Sequence, residues 1–270
     1  MQLGIWLEIR PTDDLPRLAD RVAALGFSTL HAHFPDGCDA ALARRLARAC
    51  AAGGLDLVAV SGYANLLRPD EAPMGFTLAQ LADLIALAPL LDVHRVVTWS
   101  GSFGAGLFDD HPDNHAQAGW DALRRGVDAL SPALEEAEAV LLLEPFHTHV
   151  LDSPAAAARF CDELNTPYIG AVLDLPNLLT PAMWGRQAEL IRVAVATMAR
   201  HIGLAHLKDM RLRDGAPELV GPGEGVLDYG ALLGAMRDLG TAVPLIIEHV
   251  SLERAASARH FVQARWRAAA

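Results

Sequence analysis

Apolar positions fall into two patterns that take turns along the chain. Short continuous apolar runs read as buried strands, and longer stretches whose apolar residues return every three or four positions read as amphipathic helices. Residues 3–9 open the series as a strand, with Trp6 and Glu8 on one face under the two-residue period. A helix follows, with Asp13 or Asp14 as N-cap, Pro16 in the first turn and Gly26 as its stop. The second strand, 27–34, places His31 and His33 together near its exit. The second helix carries Leu42, Leu46 and Cys50 on one face and ends at Gly53-Gly54, and 55–61 forms the third strand.

A loop with Tyr63, Asn65 and the turn formers Pro69, Pro73 and Gly75 leads to a helix opened by a capping box, Thr77 with Gln80, ahead of Leu81, Leu84, Ile85 and Ala88. The fourth strand, 94–99, runs into the polar, glycine-rich segment 100–114, which is long for a connection and reads as a binding loop or lid. Trp120, Leu123, Val127 and Leu130 mark the fourth helix, with a break expected at Pro132. The fifth strand ends in Glu144, and Ser153-Pro154 starts the next helix. The sixth strand ends in Asp174 and is followed by a helix through Leu190, Ile191, Val195 and Met198. The seventh delivers His206, with 208–228 as a loop before a helix from Asp228 to Gly240. The eighth delivers Glu248, and Ser251 caps a last helix packed through Phe261, Val262 and Trp266.

Eight strands alternating strictly with eight helices imply a parallel sheet, and the count favours closure into a single (β/α)8 TIM barrel over an open sheet. No composition shift marks a second domain, so one domain over 1–270 is expected. In such a barrel the active site lies at the carboxyl ends of the strands. There the last four strands deliver Glu144, Asp174, His206 and Glu248, spaced about 30 to 40 residues apart, one strand-helix unit each.

Any one of these residues has an ordinary explanation as a cap, an ion-pair partner or a hydrogen-bonded core histidine. Four in register are harder to dismiss, because three converging carboxylates repel one another unless a cation joins them. Carboxylates with one imidazole form a hard ligand set that suits a single divalent ion, Mn²⁺ or Mg²⁺ first and Co²⁺ or Zn²⁺ next. Glu144 and Glu248 lie three strands apart and could flank a substrate on two faces.

Lysine usage adds a second hint. Of 22 basic residues only Lys208 is a lysine, two positions past His206 on the same strand face. It reads as a contact to a substrate oxygen or as partner of a ligand carboxylate, with chance placement as the plain alternative. The 221–225 segment, Gly-Pro-Gly-Glu-Gly, places Glu224 where a phosphate would sit and reads as turn chemistry. Trp6, Trp99, Phe103 and Phe146 could wall a sugar ring or simply plug the barrel. His147, His149 and His249 lie beside the strand ends. Glu8, His33, Trp99 and His147 are candidate substrate contacts.

Composition narrows the setting. The formal net charge of −11 argues against extensive phosphate-backbone contact, hence against nucleic acid. Cys38, Cys50 and Cys161 form no Cys-x-x-Cys pair, which fits a reducing compartment. With no signal-peptide pattern and no membrane-length apolar run, a soluble cytoplasmic protein is expected. A homo-oligomer is left open. Walker, nucleophile-elbow and dinucleotide motifs are absent from the sequence.

Glu144-Pro-Phe-His147, Leu173-Asp174-Leu-Pro-Asn177, His206-Leu-Lys208-Asp209, Gly221-Pro-Gly-Glu-Gly225 leading to Asp228-Tyr229, and Ile247-Glu248 together make the chain resemble the xylose-isomerase-like TIM-barrel superfamily, specifically its sugar isomerases and epimerases. That resemblance implies a metal held by Glu144, Asp174, His206 and Glu248, the two glutamates doubling as acid and base. It also implies substrate contacts from position 177 and from Arg211 or Arg213. Epimerase members commonly carry His where this chain has Asn177, which leaves the metal set intact and unsettles the substrate.

The expected activity is metal-dependent isomerisation or epimerisation of a sugar or related hydroxy-carbonyl compound through an enediolate. A dehydratase of the inosose or dehydroshikimate type is the nearest rival. An apurinic-endonuclease-like enzyme would need a histidine-rich multi-zinc cluster, and a non-catalytic metabolite-binding barrel would not need its glutamates.

Overall fold

The computed structural model describes residues 1–72 and 75–269, so Pro73 lies outside the described residues. The elements run β1 (Leu3–Glu8), α1 (Leu15–Ala24), β2 (Thr29–His33), α2 (Ala40–Ala52), β3 (Asp56–Asn65), α3 (Leu78–Ala86), α4 (Ala88–Leu91), β4 (Arg95–Trp99) and α5 (Gln117–Ala137). The second half continues with β5 (Val140–Glu144), α6 (Pro154–Leu164), β6 (Ile169–Leu173), α7 (Gln187–Met198), β7 (Ile202–Leu207), β8 (Asp209–Arg213), β9 (Ala216–Val220), α8 (Tyr229–Asp238), β10 (Leu245–Ile247) and α9 (Leu252–Ala268).

Eight of these strands close a parallel barrel in the order β1-β10-β7-β6-β5-β4-β3-β2. Pairing of β1 with both β2 and β10 removes the edges that an open sheet would expose. The main core lies between strands and helices, while Val58, Val97, Leu142, Val172, Leu204 and Ile246 belong to a second, smaller apolar cluster. Leu142 needs two glycine neighbours: a Cβ on Gly203 would stand 2.5 Å from its methyl carbon, and one on Gly170 at 2.9 Å. Helix starts follow the sequence signals, since Asp14, Asp39, Thr77, Ser153 and Asp228 all accept capping bonds with their side chains.

Several local expectations are corrected. The 208–228 segment holds an antiparallel hairpin, β8 with β9, whose turn residues Asp214 and Gly215 both have positive φ. An Asp-Gly pair between alternating strands is the sequence cue for that turn. Helix α5 passes through Pro132 unbroken, because the lost bond falls on the exposed Asp128 side, where water can serve the carbonyl. Strand β3 runs on to Asn65 after a register shift past Ser61, which brings Tyr63 into the strand. The third helix divides at Leu87, just before Pro89, and Ser251 makes no capping bond. The 100–111 loop is tied down by Asn65 and Asn114, whose side chains bond Ser102, Phe103 and Thr148.

The Gly-Pro-Gly-Glu-Gly segment is turn chemistry. Asp209 accepts from the amides of Met210 at 2.8 Å, Gly223 at 3.1 Å and Leu227 at 2.8 Å, while Glu224 pairs with Arg254. The aspartate of the His-Leu-Lys-Asp run thus fastens this loop beside the barrel mouth.

Candidate active site

Strand register assembles the site. Trp6 lies level with His31, Glu8 with His33, His33 with Ser61, and Trp99 with Glu144. Asp174 follows β6 directly, Glu248 follows β10, and His206 lies within β7, level with Ile246. All four expected ligands are buried.

His206 is the hub. Its Nδ1 lies 3.5 Å from Glu144 Oε2 and 3.4 Å from Asp174 Oδ2, and its Nε2 lies 3.2 Å from Glu248 Oε1. The same Nε2 is 3.3 Å from His31 Nδ1, with the two rings stacked. Lys208 sends its ammonium among the same carboxylates: it touches Asp174 Oδ2 and stands 3.3 Å from Glu248 Oε2 and 3.7 Å from Glu144 Oε1. Each Glu144 oxygen also has a neutral donor, Asn177 Nδ2 at 2.7 Å on Oε1 and the Tyr63 hydroxyl at 3.1 Å on Oε2.

Burial and charge compete here. Burial opposes ionisation of Glu144, but His206 and Lys208 outweigh it and hold the carboxyl well below its usual range. For Asp174 and Glu248 burial wins and raises the pKa. Burial would also discharge His206, yet Glu248 and Glu144 lift it to about 10. His31, faced by another histidine instead of a carboxylate cluster, is driven well down by burial and then by His206. Burial also raises Tyr63 well above its ordinary value, with Glu144 adding to the effect.

The donor set suits a divalent cation. Asp174 Oδ1 is buried without a hydrogen-bond partner, and Oδ2 has only the crowded Lys208 ammonium and His206 Nδ1 at 3.4 Å; a buried carboxylate so placed favours a cation that joins its oxygens. Two triads bring ligand atoms within 4.8 Å of one another: Glu144 with Asp174 and His206, and His31 with His206 and Glu248. The four expected ligands therefore share His206 but divide between its two nitrogens, with His31 joining Glu248. Sequence reading placed His31 at the strand exit without a role.

Above the carboxylates opens a cavity of about 370 Å³. Of the expected substrate contacts, Glu8, His33, Trp99, Asn177 and Lys208 line it, together with Glu144 and Glu248. Two others lie elsewhere. His147 bonds the Asn177 carbonyl through Nδ1 at 2.9 Å, and Arg211 is held by Glu218 at 2.7 Å on the β8–β9 hairpin. Arg213 shares that glutamate. Sequence reading assigned no site role to Tyr63 or Phe108. Tyr63 was legible as the continuation of β3 with the same two-residue step as Ser61, whereas Phe108 reaches the cavity from a loop, where periodicity carries no signal.

The family model for xylose isomerase-like TIM barrels matches residues 19–265, and the chain belongs to that family. A search of curated proteins finds no match. Among solved structures, the chain is similar to 3-keto-D-glucoside 4-epimerase from E. coli, at 15% identity and TM-score 0.74, covering 98% of this chain and 99% of that one. It is also similar to an L-ribulose 3-epimerase (20% identity, TM-score 0.75, 98% and 95% covered) and to a probable 3-DHS dehydratase from Bacillus anthracis (14%, 0.70, 96% and 98%). At these identities the likeness concerns the fold.

Proposed function

We propose that this chain is a divalent-metal-dependent sugar isomerase or epimerase that moves a proton next to a carbonyl, with Glu144 and Glu248 as the acid/base pair. The reading is supported above all by the crowding of three carboxylates around His206 at the floor of a cavity, with the buried Asp174 Oδ1 left without a hydrogen bond. Glu144, Asp174 and His206 would hold the ion, Mn²⁺ or Mg²⁺ by their chemistry, with Glu248 as fourth ligand once its carboxylate turns from the His206 Nε2 side. Such an ion supplies positive charge against the oxyanion that develops as a carbonyl becomes an enediolate.

The side chains supply the rest. Glu144 and Glu248 are separated around the barrel by β6 and β7, so they reach the cavity from different sides. One takes the proton from carbon, and the other returns one, to the opposite face in an epimerisation. Asn177 and Tyr63 fix the orientation of Glu144, and Lys208 fixes Asp174 and Glu248. Aromatic side chains around the cavity keep water away from the carbanion. Among the described residues no helix is long and apolar enough to cross a membrane.

A dehydratase is the second reading. Glu248 lines the cavity with its pKa raised by burial, so its carboxyl could protonate a departing β-hydroxyl. Metal-loaded enzyme incubated with a panel of ketoses and cyclic keto-sugars in heavy water should wash deuterium into the carbon next to the carbonyl, and chelation should stop it. Glu144→Gln and Glu248→Gln should each slow exchange by about 10²–10⁴-fold. An enone absorbance would select the dehydratase, and no exchange or enone across the panel would refute both.

A further inference from the structure

The cavity mouth is divided. From β1 to β5 a run of aromatic rings follows the strand ends: Trp6 to His33 at 5.3 Å between centroids, His33 to Tyr63 at 5.1 Å, Tyr63 to Trp99 at 4.3 Å, Trp99 to Phe108 at 4.9 Å and Phe108 to Phe146 at 4.9 Å. The other side, from β5 round to β10, carries Glu144, Asn177, Lys208 and Glu248. A substrate that fills the cavity must therefore present two different surfaces.

Charge excludes one familiar option. Lys208 is the sole cation among the described residues lining the cavity, and its ammonium is committed to three carboxylates. At the rim, Arg10 is occupied by Glu8 and Asp36, both at 2.8 Å. His33, the lining histidine on the aromatic side, holds its Nδ1 3.1 Å from the Ser61 carbonyl. With the hydroxy-carbonyl end at the late-strand carboxylates, a distal phosphate or carboxylate would meet Glu8 and the ring wall, where no Lys or Arg of the described residues lines the cavity. A long polyol tail fares little better, since much of the far wall offers ring faces instead of hydrogen-bonding groups, and hydroxyls buried there would lose their water bonds.

Resting on the isomerase or epimerase reading, we infer that the substrate is an uncharged hydroxy-carbonyl compound that carries an aromatic ring on its polyhydroxy part. Its hydroxy-carbonyl end meets the carboxylates, and its ring stacks on Trp99, Phe108 and Phe146. Phe108 lines the cavity and is 43% exposed, so it keeps surface that a substrate ring could cover. A volume of about 370 Å³ lies within the roughly 300–1,000 Å³ of small-molecule sites.

The test compares three probes on the metal-loaded full chain: a keto-sugar bearing a phenyl group, the same keto-sugar bearing methyl, and a ketohexose 6-phosphate. Deuterium uptake from heavy water is the readout for each. The phenyl compound should exchange with a kcat/KM roughly tenfold or more above the methyl compound, as one or two stacking contacts allow, and the phosphate should be the poorest. Phe108→Ala should shrink the phenyl-to-methyl ratio severalfold, chiefly through KM. Equal rates for phenyl and methyl, or a preference for the phosphate, overturn this inference while leaving the isomerase reading intact. Absence of exchange with all three is settled by titrating the phenyl compound and watching tryptophan fluorescence: saturable binding that weakens in Phe108→Ala retains the substrate class and rejects the reaction, and no binding rejects the class as well.

Discussion

Replacing Lys208 by Met tests the electrostatics of the barrel floor. The methionine keeps an apolar stem one atom shorter than the lysine and carries no charge, so three buried carboxylates lose the ammonium that lies against them. A unit pair at 3.3 Å attracts by about 5 kcal/mol at an effective dielectric of 20. Desolvation offsets much of that, and removing one partner of a buried ion pair costs about 3–5 kcal/mol in practice. Protonation of Asp174 or Glu248, both already raised by burial, sets a ceiling on the loss. At ~2–4 °C per kcal/mol for a domain of this size, the metal-free variant should melt roughly 6–20 °C below its parent after chelation. Saturating Mn²⁺ should then stabilise the variant more than the parent, because the ion no longer displaces an ammonium from the oxygens it needs. A metal-free variant that melts within about 2 °C of the parent, or one that gains no more from metal, would refute the reasoning.

Three further outcomes follow from single contacts. Asn177→Ala removes the 2.7 Å bond to Glu144 and should lower kcat by about 10–100-fold with little change in metal affinity, read by single-turnover exchange and metal titration. His149 is neutral because burial holds its pKa at about 4, so the unfolded chain binds more protons between that value and about 6.5. Its contribution is complete above pH ~6.5 and is lost as pH falls toward 4, about 3 kcal/mol in total. Urea unfolding of His149→Gln should therefore show a shallower decline over that window, and an unchanged slope would count against the assignment. Asp209→Ala strands three amide donors and should cost about 3 kcal/mol or more, seen as a lower urea midpoint.

Barrel class and strand exits were legible because both rest on repetition. Each apolar run that ends in Glu144, Asp174, His206 or Glu248 repeats the same unit, and a parallel barrel sends every such end to one face. Contacts across the barrel were not legible. Tyr63 on Glu144 joins residues from β3 and β5, and His31 against His206 joins β2 to β7. Neither pairing has a spacing that local pattern could show. The family resemblance implied a substrate contact from Arg211 or Arg213 but carried no sign of the hairpin: the Asp214-Gly215 turn folds the segment back on itself and sets the Arg211 guanidinium on Glu218.

The lone lysine and the aromatic arc express one division of labour. A (β/α)8 chain fills its mouth in order, so whatever the early strands carry faces whatever the late strands carry. Here β1 to β4 contribute Trp6, His33, Tyr63 and Trp99, with Glu8 as their one carboxylate, while β5 to β10 contribute Glu144, Asp174, Glu248, His206 and Lys208. Arginine serves every other basic position, yet a planar guanidinium would demand a wider space than the one in which Lys208 contacts three carboxylates together. A compact point charge can stand among those oxygens and also yield its place. Lys208→Arg should therefore impair metal loading even though the formal charge is kept, which separates the shape of the cation from its sign as the property position 208 requires.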